Sequence, residues 1–77
     1  MRDWLRNLRI KNGYTMKEMG VKLGISESYY CAIESRERQK KMDMLLASSL
    51  ATIFEIPIAT IVSLDSAEHS QKEKDVG

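Results

Sequence analysis

The sequence has one cysteine, one proline and four glycines, and its aromatic residues are few: three Tyr, one Trp and one Phe. A lone thiol, Cys31, closes no internal disulfide. No His, Cys or acidic cluster at ligand spacing stands beside it, so neither a disulfide scaffold nor a metal site is expected. No apolar run approaches the roughly 20 residues that cross a bilayer. The opening MRDWLRNLRIKNG is charged throughout and has no apolar signal core. Catalysis also lacks a foothold. One histidine, His69, and one cysteine lie in unrelated segments, and there is no glycine-rich phosphate loop or carboxylate pair with a pocket to occupy. These absences lead us to expect a reduced, cytoplasmic chain that is not an enzyme and requires no cofactor, metal or membrane.

What is present is a small globular domain. Apolar residues make up 43% of the chain and charged residues 30%, ordinary values for a folded protein of 77 residues. The formal net charge of +1 conceals an uneven distribution. Residues 1–41 hold ten Lys and Arg against five acids, a balance of +5, and residues 42–77 hold two Lys against six acids, a balance of −4. A basic front half suits a polyanion, although solvated helix faces produce the same count.

No segment alternates as a strand does, whereas helical spacing recurs throughout. Trp4, Leu5 and Leu8 form one face of a first helix that stops near Lys11, before Asn12-Gly13. The stretch TMKE, Thr15 to Glu18, is a capping box, in which a Thr hydroxyl and a Glu carboxylate each take an amide left over at the helix start. Met16, Met19 and Leu23 continue a second helix that Gly24 ends. Ser26 caps a third, with Tyr30 and Ile33 inward, and SRERQKK comes next as a basic loop. Asp43 opens a fourth helix bearing Leu46, Leu50, Ile53 and Phe54, and Pro57 fits the first turn of a fifth. Met1, Met19, Met42 and Met44 are expected to fill the core. Residues 65–77, DSAEHSQKEKDVG, have no apolar face and are expected to be a disordered polar tail behind a domain at 1–64.

Two helices joined by so short a turn must cross steeply, and Gly20 would let their backbones approach closely. Glu27, Ser28, Tyr29, Cys31 and Ala32 then point outward or sideways from the third helix. At these residues the chain resembles the phage-repressor/Cro type of helix-turn-helix domain, the xenobiotic-response-element family. Leu8-Arg9, Gly13, Thr15, Glu18, Met19, Leu23-Gly24-Ile25-Ser26, Tyr30 and Ile33-Glu34 match its pattern. The resemblance implies an all-α, five-helix lambda-repressor-like fold, with the helix-turn-helix at helices two and three.

It also implies sequence-specific binding of double-stranded DNA, with the third helix in the major groove. Glu27, Ser28 and Ala32 occupy base-contact positions. Met16, Lys17 and Tyr29 occupy positions near the phosphate backbone, where Arg36, Arg38, Lys40 and Lys41 of the basic loop also serve. Tyr29 could instead meet a thymine methyl. A structural pair between Arg9 and Glu34 is implied as well.

The chain departs from the family at several points. Met16 replaces a glutamine that contacts phosphate, and Gly20 replaces an alanine. Glu27 can serve either the helix dipole or a cytosine amino group. Arg36 stands where a glycine usually ends the third helix. One helix-turn-helix covers half a site, so a homodimeric repressor is expected, paired through Ile56, Pro57, Ile58, Ile61, Val62 and Leu64. The alternative is a protein-interaction module, such as an antitoxin-like component, that uses the same fold to hold a protein partner.

Overall fold

Local signals set most of the helix boundaries. In the computed structural model, which describes the backbone of residues 1–76 and side chains through Glu68, five helices succeed one another. They are α1 (Asp3–Lys11), α2 (Met16–Leu23), α3 (Glu27–Glu34), α4 (Met44–Phe54) and α5 (Ile58–Val76). No strand occurs among the described residues. The capping box of α2 is complete: the Thr15 N–H donates to Glu18 Oε1 at 2.8 Å, and the Glu18 N–H donates to Thr15 Oγ1 at 3.0 Å. Ser26 and Asp43 cap α3 and α4 by accepting the Tyr29 and Leu46 amides at 3.1 and 2.8 Å. Gly24 ends α2 in the left-handed conformation, φ 72°.

Each helix sends its apolar stripe to one core. α1 contributes Trp4 and Leu5, α2 Met19, α3 Tyr30 and Ile33, α4 Ala47, Leu50 and Phe54, and α5 Ile61. Each large aliphatic buried here contributes about 1.5–3 kcal/mol relative to exposure. Tyr14, between α1 and α2, tilts its ring against Phe54 at 6.4 Å between centroids.

Three expectations are corrected. Met1 and Met44 are exposed, at 47% and 62%, so of the four core-filling methionines only Met19 is fully buried, with Met42 half-buried against the core. Ile61 is fully buried, which removes it from any dimer face. The helix does not end at residue 64, either. α5 continues through Val76, and Asp65 is buried at 8% exposure.

The reason is geometric. Ile61, Asp65 and Glu68 stand at i, i+4 and i+7 on one face, so the apolar stripe continues as a carboxylate stripe facing the start of α1. Glu68 accepts the amides of Asp3 and Trp4 at 3.1 and 2.9 Å. It thereby caps an N-terminus that Arg2, the preceding residue, leaves without a side-chain cap. The side chains of residues 69–77, His69 included, lie outside the described residues.

Candidate nucleic-acid interface

The crossing of α2 and α3 determines which face of α3 is free. An added Cβ on Gly20 would lie 2.9 Å from the Ile25 carbonyl oxygen and 3.3 Å from the Glu27 nitrogen, both main-chain atoms. The absent side chain is therefore what lets α2 lie against the start of α3. The Ile25 amide donates to the Gly20 carbonyl at 2.9 Å and closes the turn. Tyr30, Ile33 and Glu34 consequently face inward, while Glu27, Ser28, Tyr29 and Cys31 are exposed and Ala32 is half-buried.

The inner face of α3 is anchored by the pair the resemblance implies. Arg9 Nε donates to Glu34 Oε2 at 2.6 Å, and Arg9 Nη1 donates to the Tyr14 carbonyl at 3.1 Å. The bond to Glu34 raises the Arg9 pKa further above its ordinary value. Burial, then the neighbouring Glu34, pushes the Tyr30 phenol well above its usual range, so it stays neutral. This pair orients α3 against α1 from the inner side, away from the exposed Glu27, Ser28, Tyr29 and Cys31.

Three of the ten front-half cations are engaged inside the protein: Arg9 with Glu34, and Arg2 and Arg36 with Asp65. The remaining seven are Arg6, Lys11, Lys17, Lys22, Arg38, Lys40 and Lys41. All seven are exposed. Lys17 lies in the first turn of α2, and Arg38, Lys40 and Lys41 lie in the loop between α3 and α4. Lys22 sits 4.6 Å above the Tyr14 ring.

Arg36 is the clearest reassignment. The resemblance puts it at the phosphate backbone, yet its side chain is 9% exposed and Nη2 donates to Asp65 Oδ1 at 2.9 Å. Its backbone is left-handed, φ 68°, at the position where the family usually has glycine. A non-glycine residue there costs on the order of 1–2 kcal/mol, and the bond to Asp65 offsets part of it. Met16 is half-buried against the core and has no hydrogen-bond donor, so it provides packing at the start of α2 rather than a polar contact.

Two further groups have no local sequence signal. Arg2 is fully buried. Its Nε donates to Asp65 Oδ1 at 2.7 Å, and its Nη atoms donate to the Ile33, Arg38 and Gln39 carbonyls. Trp4 Nε1 donates to the same Asp65 oxygen at 3.1 Å. Burial pushes the Asp65 carboxyl up, but the bonds from Arg2 and Trp4 and the charges of Arg2 and Arg36 outweigh it and hold the group below its ordinary value. Gln39, the other unrecognised residue, bridges two elements. Its amide nitrogen donates to Tyr29 Oη at 3.3 Å, and its Oε1 accepts the Asp43 amide at 3.1 Å.

Among the described residues no group of His, Cys, Asp or Glu could hold a metal, and no single helix is long and apolar enough to cross a membrane. No curated protein and no solved structure matches the chain. A family profile described as helix-turn-helix, of the Cro/C1 type, matches residues 5–61, the span from Leu5 in α1 to Ile61 in α5. The match covers both helices of the turn, the α1 arginine that anchors α3 and the basic loop. With an all-helical fold of five elements around it, the chain belongs to the Cro/C1-type helix-turn-helix family of DNA-binding regulators.

Proposed function

We propose that this protein is a transcriptional repressor that occupies operator DNA as a homodimer, with α3 of each protomer in the major groove. The observation that carries the reading is the exposed outer face of α3, flanked by cations at Lys17 and in the loop at Arg38, Lys40 and Lys41 that no carboxylate among the described residues engages. Ser28 and Ala32 stand one turn apart and meet base edges. Glu27 accepts from a cytosine amino group, and Tyr29, braced by Gln39, lies between base edge and backbone. Lys17 and the loop cations neutralise phosphates, which gives affinity and register. Pairing of two protomers uses the apolar residues left at the surface near α5: exposed Pro57 and Val62, with Ile56, Ile58 and Leu64 beside them at the edge of the core. Two protomers place two α3 helices about one DNA turn apart.

The test is selection of bound duplexes from a random pool at moderate salt, with Ala32→Arg as the control. A two-fold symmetric site that the control alters is the expected result. In the same assay, Lys40→Ala with Lys41→Ala should lower the log–log salt slope by about 0.9 for each phosphate no longer neutralised.

A protein-interaction role has one observation in its favour. Leu45, 83% exposed, lines a cleft of about 280 Å³ between α3 and α4, and its chain neighbour Met44 is 62% exposed. Absence of any enriched site would direct the search to a protein bound there.

A further inference from the structure

The α3–α4 loop, residues 35–43, carries three of the proposed phosphate contacts but has little local means of holding its shape. It contains no glycine, and both Arg36 and Gln39 adopt positive φ, 68° and 55°. Four cations crowd residues 36–41, and their mutual repulsion favours an open, extended segment. The α3 end of the loop is tied down locally: the Ala32 carbonyl accepts the Glu37 and Arg38 amides at 2.9 and 3.1 Å. Beyond Arg38 two side-chain bonds within the loop, Arg36 Nη1 to the Lys40 carbonyl at 3.3 Å and the Asp43 amide to Gln39 Oε1 at 3.1 Å, are joined by a group from elsewhere.

That group is Arg2. One guanidinium donates to Ile33 O at 2.5 Å, to Arg38 O at 3.3 Å and to Gln39 O, and so grips the last turn of α3 and the middle of the loop together. The Arg2 main chain repeats the grip, its amide donating to the Glu34 carbonyl at 2.6 Å. Asp65 supplies the opposing carboxylate and also takes Arg36, so Arg2 and one cation of the crowded segment share a buried counter-charge on α5. The planar fork of arginine meets several acceptors at once, which a lysine ammonium at the end of a flexible stem does not reproduce.

We infer that Arg2, anchored on Asp65, is a positioning residue for DNA binding: it holds the α3–α4 loop in the form that presents Arg38, Lys40 and Lys41 to the phosphate backbone. Arg2 itself touches no DNA, since its side chain is fully buried. The inference rests on the DNA-binding reading above and assigns a role within it. It also makes α5 part of the binding apparatus, because the carboxylate that seats Arg2 lies there.

The experiment compares Arg2→Lys and Asp65→Glu with the unaltered full chain. Arg2→Lys keeps the charge and loses the fork. Asp65→Glu keeps the carboxylate and displaces it by a methylene, a milder change if the first variant does not fold. Each is confirmed as folded by circular dichroism, and its affinity for the selected duplex is then measured across salt concentrations. A lower folded fraction reduces affinity by a factor that salt leaves nearly unchanged, whereas a displaced loop reduces the number of counterions released.

The expected result is a slope smaller by about two units in Arg2→Lys and about one in Asp65→Glu. Amide exchange should be faster at residues 36–41 and unchanged in α2. A folded variant of either kind with the wild-type slope overturns the positioning role. If the unaltered protein binds no duplex, the DNA-binding reading falls first and takes this role with it, an outcome distinguishable from the other by the wild-type measurement alone.

Discussion

The α2–α3 turn and the α3–α4 loop leave the same helix from opposite ends, and they are held in opposite ways. The first is a matter of neighbours. Gly20 has no side chain where Ile25 O passes, Gly24 supplies the left-handed residue, and Ser26 caps the start of α3. The second is three times longer and contains left-handed residues that are not glycine. Its shape depends on a guanidinium 31 to 37 positions earlier in the chain and a carboxylate on α5. One connection is specified where it occurs, and the other only once the fold has closed. A helix that reads DNA from its outer face needs a fixed angle at its start. Its far end can be set by the rest of the molecule.

The largest expected effect breaks the remote side. Asp65→Ala leaves Arg2 buried beside carbonyls without its counter-charge, and breaking a buried pair in this way costs about 3–5 kcal/mol. Chemical denaturation would read it as a lower midpoint with little change in slope. The same carboxylate gives an acid signature. Its pKa is lowered on folding, so its stabilisation is complete above the unfolded-state value, roughly 4, and is lost as pH falls through the folded value. A pH series of midpoints should therefore decline on acidification, and Asp65→Asn should remove part of that decline.

Next in size is a break on the local side. Gly20→Val puts a branched side chain against the main chain at Ile25 and Glu27, with an expected loss of about 2 kcal/mol, measurable in thermal melts. The smallest effect sharpens the comparison. Ser26→Ala removes one cap bond to α3 and should cost about 1 kcal/mol, while amide exchange in residues 36–41 stays as in the wild type.

The same division explains what can be read in the sequence. The order of helices and the caps at Thr15, Ser26 and Asp43 are legible because each depends on residues three or four positions apart. So is the role of Gly20, once two helices have to cross there. The Arg9–Glu34 pair is accessible only through the family pattern. Asp65 and Glu68 pass for the start of a tail, because a helix face that ends in carboxylates shows no apolar period. Their partners, Arg2 and the amides of Asp3 and Trp4, lie more than 60 residues away. Arg36 is hidden for the same reason, since a basic loop with no visible counter-charge reads as entirely free. Ile61 is misplaced because composition alone does not divide a short apolar helix between a core and a partner.

The span between Arg2 and Asp65 also has a consequence in time. Contacts between distant positions form only after the entropy of closing the intervening chain has been overcome. The caps and the α2–α3 turn involve short segments and can form as soon as those residues exist. The seam that shapes the loop must wait for α5. On a ribosome, the loop beside α3 can therefore take its final form only once α5 has emerged and docked.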